Sequence, residues 1–175
     1  MSLAEPDNYY DSAPLISDLY ELARISFSTF VELCFPVLHP GETFQPAEYI
    51  DLLTHLLERC AARRCRRVII NLPPGYMKSM LVSILYVAWR LGVDPTAKFI
   101  CISYGDDLAH HLSRKTRDLM LSPIYRMIFP NTVLDKKAED HLSTTKGGYR
   151  YATAVGSDIT GFRADEIIID GRVGM

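Results

Sequence analysis

The sequence predicts an α/β domain built on parallel strands, and three observations predict it. Short β-branched runs recur at 68–72, Lys98–Ser103 and Glu166–Asp170, each bounded by turn residues, which is the texture of strands buried on both faces of a parallel sheet. Helical periodicity fills the intervals, and alternation of strand and helix builds such a sheet. The length, 175 residues, suits one domain at roughly 150 residues per domain.

Each element follows in order. Residues 1–13 are polar and acidic, with Tyr9 and Tyr10 in tandem, and read as a loose tail. From about Ser17, Leu19, Leu22, Ala23, Phe30, Leu33 and Cys34 recur at helical spacing until Pro36 ends the helix. Pro40 and Gly41 form a turn, separating an N-terminal tail and helix (1–40) from the main domain (41–175). A second helix spans 46–62, with Ile50, Leu53, Leu56 and Leu57 on one face and Pro46 at its start. After the strand at 68–72, a helix over 78–91 is ended by Gly92 and Pro95. Asp106 caps a helix reaching Leu121, broken by Ser122 and Pro123. Residues 142–155, turning at Gly147 and Gly148, make a hairpin in which Tyr149 and Tyr151 alternate with their neighbours.

Composition excludes several classes. Hydrophobic residues are 48% and charged residues 23%, close to the average globular domain and unlike a disordered chain. The 19 Lys and Arg against 21 Asp and Glu leave a net charge of −2, so a nucleic-acid surface must be local. No apolar run approaches the roughly 18 residues of a membrane span, and no basic-then-apolar leader opens the chain; a cytoplasmic protein is expected. Cys34, Cys60, Cys65 and Cys101 form no CxxC pair, so neither disulfide nor zinc is expected. Cys34 and Cys101 sit in apolar runs as small hydrophobes. The basic knot Arg63, Arg64, Arg66, Arg67 reads as cations at a helix C-terminus, and Arg114, Lys115 and Arg117 as a solvated helix face.

The junction Asn71-Leu72-Pro73-Pro74-Gly75-Tyr76-Met77-Lys78-Ser79 carries the chemistry. A loop that ends a strand and opens a helix can wrap phosphates in backbone N–H groups at the helix's positive end. Against the pattern GxxxxGK[ST], only Gly75, Lys78 and Ser79 keep the usual residue types. A lysine at a helix start is mildly unfavourable without an anion, which favours the phosphate reading. Asp170, ending an apolar strand, supplies the acid that a nucleotide-binding sheet uses towards Mg²⁺.

With those residues in view, the stretch from about Pro40 to Asp170 resembles the N-terminal ATPase domain of the terminase large subunit of tailed phages and prophages, the motor of viral DNA packaging. Four ordered blocks carry the resemblance. They are Arg67 through Ser79, Ser103-Tyr104-Gly105-Asp106-Asp107-Leu108-Ala109, Gly147-Gly148-Tyr149-Arg150-Tyr151-Ala152-Thr153, and Gly156 through Asp165 leading into Ile167-Ile168-Ile169-Asp170. It implies a P-loop NTPase of the ASCE type: a parallel sheet flanked by helices, with an N-terminal helical segment, here incomplete. It implies ATP held by Pro74, Gly75, Tyr76, Met77, Lys78 and Ser79, with Gln45 reading the adenine. Mg²⁺ would lie at Ser79 and Asp170, the catalytic set being Lys78, Asp170 and a trans-acting Arg163. Implied partners are double-stranded DNA, the portal protein and the terminase small subunit, with subunits in a ring.

The chain departs from the family where an acidic residue should follow Asp170; Gly171 stands there. Glu166 lies at the other end of that strand, on the order of 13 Å away at about 3.3 Å per residue. The coupling motif and nuclease domain are also missing from the sequence, so the expectation is a truncated form with little or no hydrolysis. Rival readings are a helicase-like P-loop ATPase and an inert remnant that binds a partner through its sheet edge.

Overall fold

The structure is a computed structural model describing residues 12–157 and 159–171. The expected tail lies outside the described residues as far as Asp11.

The single helix expected up to Pro36 is two helices, α1 (Ser12–Ile25) and α2 (Phe27–Leu38). The chain breaks at Ser26, whose extended backbone lets its hydroxyl accept from the Thr29 N–H at 3.3 Å, an N-cap. Glu58 completes that cap from the next helix, its carboxylate accepting the Phe27 N–H at 2.7 Å. Pro36 lies within α2 rather than ending it. Helix α3 (Glu48–Ala61) matches its expectation to within two residues.

The buried strand expected at 68–72 is not formed. Val68 and Ile70 are half-buried and Ile69 is 97% exposed, and among the described residues no strand pairs with this segment. The following helix forms from Lys78, with a π-helical segment (Met80–Tyr86) continuing into α4 (Val87–Val93). Strand β1 (Lys98–Ser103) and helix α5 (Asp106–Leu121) have the expected bounds, but Gly105, not Asp106, occupies the N-cap. The break at Ser122 and Pro123 restarts the chain as α6 (Pro123–Ile128), with Ser122 as its cap. Strands β2 (Leu134–Lys137), β3 (His141–Thr144), β4 (Tyr149–Ala154) and β5 (Glu166–Asp170) follow.

The five strands form one mixed sheet in the order β2-β3-β4-β1-β5. β1 pairs in parallel with both β4 and β5, whereas β2, β3 and β4 pair antiparallel. The sheet is therefore not purely parallel as expected, because the tight turn between β3 and β4 can only join antiparallel neighbours. Gly147 takes φ 87° in that turn. Gly148 lies so close to the preceding segment that an added Cβ would meet the Pro95 carbonyl oxygen at 2.4 Å.

Parallel register sets Phe99 beside Arg150 and Glu166, and Ser103 beside Asp170; these side chains share one face, where the helices pack. Phe27, Phe30, Tyr86, Trp89, Tyr125 and Phe129 form the aromatic heart of that layer. The Trp89 indole donates to the Ala23 carbonyl at 3.0 Å and the Tyr125 hydroxyl to that of Ala88 at 2.8 Å, so its buried polar tips are satisfied. Cys34 and Cys101 are buried in it as expected. The opposite face carries Tyr149, Tyr151 and His141, with the Phe162 ring stacked on Tyr151 at 3.9 Å. Tyr149 and Tyr151 thus point the same way. Among the described residues no helix is long and apolar enough to cross a membrane.

One residue works against this packing. Arg150 is wholly buried, and none of its three guanidinium nitrogens has a hydrogen-bond partner among the described residues. An unpaired buried charge is costly, and burial pushes the Arg150 pKa below its ordinary value. Arg150→Met is expected to raise stability by about 1–4 kcal/mol, read as a higher urea midpoint at unchanged m-value.

His141 supplies a pH dependence. Its Nδ1 lies 3.2 Å from the Lys136 ammonium, and desolvation followed by that cation lowers its pKa below 6.5. The unfolded state then binds the proton more readily, so stability falls as pH drops below about 6.5. His141→Gln flattens that acid limb in urea titrations at successive pH values.

Candidate functional site

A groove of about 930 Å³ runs along the free edge of β5. Its sides are the segment 65–71 and β5, and its floor comes from α3 and the π-helical segment through Leu57, Cys60, Val82, Ser83 and Tyr86. Lys78, Asn71, Asp170 and Gly171 all line it, so two residues far apart in sequence open on one cavity.

The loop that delivers Lys78 has a defined backbone. Gly75 takes φ 89° and Met77 φ 49°. A left-handed conformation suits Gly75 but costs a side-chain-bearing residue roughly 1–2 kcal/mol. Met77 stands where the phosphate-loop pattern places its second glycine, so the backbone there keeps a glycine-like turn without the glycine. The Met77 carbonyl accepts from the Leu81 N–H at 2.8 Å, starting the helix. Tyr76 packs edge-on against Tyr49 of α3 at 5.2 Å, tying the exposed loop to the helical layer. Pro74 and Gly75 form a turn, and Pro73 and Pro74 carry no N–H, so the loop can offer a ligand only N–H groups outside these prolines. Lys78 is half-buried and joins no ion pair among the described residues.

At the other wall, pairing with β1 fixes Asp170 at the C-terminal end of β5, the end at which open α/β sheets bind ligands. Its carboxylate accepts a hydrogen bond from Ser83 Oγ at 3.1 Å and is largely buried. Ser83, not Ser79, holds this acid. Sequence reasoning missed it; its signal is a serine four residues beyond Ser79, set in the otherwise apolar stretch Met80–Leu85.

The opposite end of β5 holds a second polar cluster. Glu166 accepts from the Tyr86 hydroxyl at 2.7 Å and from Arg90 Nε at 3.3 Å. Burial and the neighbouring Glu166 carboxylate raise the Tyr86 pKa well above the usual phenol range. Cys60 and Cys65 also line the groove; burial, then Cys65 beside it, pushes the Cys60 thiol up to about 11.

The remaining expected site residues lie elsewhere. Ser79 is half-buried on the first helical turn, and Pro74, Gly75 and Tyr76 are exposed in the loop; none lines the groove. Gln45 and Arg163 are exposed and also outside it. The Arg163 backbone is held by Tyr149, whose hydroxyl accepts from the Arg163 N–H at 3.1 Å and donates to its carbonyl. Of the basic knots, Arg63 donates to the Asp165 carbonyl at 3.0 Å, Arg114 pairs with Glu139 and Arg117 with Asp118. Among the described residues no cluster of three or more His, Cys, Asp or Glu is poised to hold a metal.

No family model, curated protein or solved structure matches this chain.

Ser83→Ala leaves the Asp170 carboxylate without its hydroxyl partner. The expected cost is about 1–3 kcal/mol, read from chemical denaturation; an unchanged midpoint would show that the bond contributes nothing.

Proposed function

We propose that this chain is a nucleotide-binding domain of the terminase large-subunit type, binding Mg·ATP and turning it over slowly or not at all. The observation that carries the reading is the convergence of Lys78 and Asp170 on one groove. The donor set fits a triphosphate: an ammonium that joins no ion pair among the described residues, N–H groups of the loop, and a helix start beside them. Lys78 neutralises phosphate charge, and the N–H groups of the loop orient it. Mg²⁺ would be held on the side of Asp170, with Ser79 on the adjoining turn, and would supply charge neutralisation at the phosphates.

Little hydrolysis is proposed because Gly171 follows Asp170 and cannot orient a water as a carboxylate does. Glu166, engaged by Tyr86 and Arg90, is held away at the other end of the strand. The exposed Arg163 suits a role at a neighbouring subunit's phosphates rather than its own, and Gln45 remains the proposed adenine reader. Double-stranded DNA, a portal protein, a terminase small subunit, a ring assembly and a cytoplasmic location belong to this proposal through the family resemblance alone.

A fluorescent ATP analogue titrated into the 175-residue chain with Mg²⁺ tests the reading. Saturable binding is expected, weakened at least about tenfold, the equivalent of about 1.4 kcal/mol, by Lys78→Ala. Asp170→Asn is expected to remove the Mg²⁺ dependence, with phosphate release near background throughout. Equal binding by wild type and Lys78→Ala would refute the assignment, and DNA-stimulated turnover would favour the helicase-like alternative.

A further inference from the structure

The end of α3 carries chemistry that the nucleotide reading does not use. Its last turn closes tightly: the Arg63 N–H donates to the Cys60 carbonyl and the Arg64 N–H to that of Arg59, both at 2.9 Å, with Arg63 at φ 58°. This is the double closure that ends a helix through a left-handed residue, taken here by an arginine where glycine is the usual occupant. The Cys65 N–H adds a bond to the same Arg59 carbonyl at 3.3 Å. That carbonyl belongs to the peptide joining Arg59 to Cys60, so the turn folds Cys65 back onto Cys60.

The side chains meet as well. Cys60 and Cys65 are both half-buried, both free thiols, and both line one groove. Cys65 is the hydrogen-bonding neighbour of the Cys60 thiol. The other two cysteines, Cys34 and Cys101, are buried in the core. Among the described residues no third His, Cys, Asp or Glu joins the pair to make a metal site, and zinc takes at least three protein ligands. Two adjacent thiols with no third ligand are placed for disulfide chemistry.

We propose that Cys60 and Cys65 are a redox modification site, exchanging with an anionic low-molecular-weight disulfide of the glutathione type to close an internal disulfide across the end of α3. The flanking Arg59, Arg63, Arg64, Arg66 and Arg67 are all exposed and present positive charge to the carboxylates of that reagent. Burial, then Cys65, pushes the Cys60 thiol up to about 11, which leaves the first attack to Cys65. The Cys65 thiolate attacks one sulfur of the reagent and expels its other half as a thiolate. Cys60 then gives up its proton and attacks the Cys65 sulfur of the mixed disulfide, expelling the second half; proximity serves this step. Two protein thiols are oxidised, one external disulfide is reduced to two thiols, and the two protein protons pass to them. The new bond ties the 65–71 side of the groove to α3.

The test exposes the full chain, without nucleotide, to glutathione buffers of increasing oxidised share, natively and in urea. Free thiols are then blocked by alkylation, and peptide mass spectrometry reads the Cys60–Cys65 bond. Because the folded turn holds the two thiols together, the bond is expected to form at least about tenfold more readily in the folded chain than in urea. Cys60→Ser is expected to stop at a stable glutathione adduct on Cys65, and Cys65→Ser to gain at least about tenfold less adduct on Cys60. An equal or smaller exchange constant in the folded chain would overturn the proposal, since chance encounter within a short loop would then explain the bond. An adduct as persistent on the wild type as on Cys60→Ser, or equal labelling of the two variants, would overturn it too.

Discussion

The parallel pairing of β1 with β5 is the constraint on which the rest depends. It aligns Ser103 with Asp170 and Phe99 with Glu166, fixing where both acids meet the helical layer. The π-helical segment answers each, Ser83 reaching Asp170 and Tyr86 reaching Glu166. A slip of one residue would turn every β5 side chain to the other face, exchanging two engaged carboxylates for isoleucines. Register and polar pairing therefore specify one another, and the groove exists because that agreement holds β5 in place at the sheet's edge.

Charge is handled unevenly across the molecule. Glu166 sits between Tyr86 and Arg90 with little exposure and good geometry, the situation in which a buried ion pair can hold. Arg150, on the same face of the sheet, has no such company. Ser113 on α5 is likewise buried without a partner among the described residues, whereas the carboxylates of β5 are engaged. The fold spends its hydrogen bonds where the groove needs fixed walls.

Much of this was legible in the sequence, and the failures have physical reasons. Lys98–Ser103 was readable to the residue, and Asp106–Leu121 to within one at its start, because composition, turn residues and periodicity agree there. The break at Ser26 hid inside an unbroken apolar periodicity; only a serine marks it. β2, with the sequence Leu-Asp-Lys-Lys, carries no apolar alternation and forms because β3 offers it an edge. The run Val68-Ile69-Ile70 shows the converse, since among the described residues its strand composition finds no neighbour and forms no ladder. Lys78 and Asp170 were identifiable by residue type and position, whereas Ser83 emerged only once the helix was laid against β5.

β5 also bears on how the chain comes to be folded. Its anchoring contact with β1 joins Lys98 to Asp165, 67 residues apart. At 5–20 residues per second of synthesis, β1 emerges roughly 3 to 13 seconds before the strand that covers one of its edges. During that interval the backbone edge of β1 that later pairs with β5 has no partner from β5. That open edge is a site of misassociation during synthesis which the finished fold no longer presents.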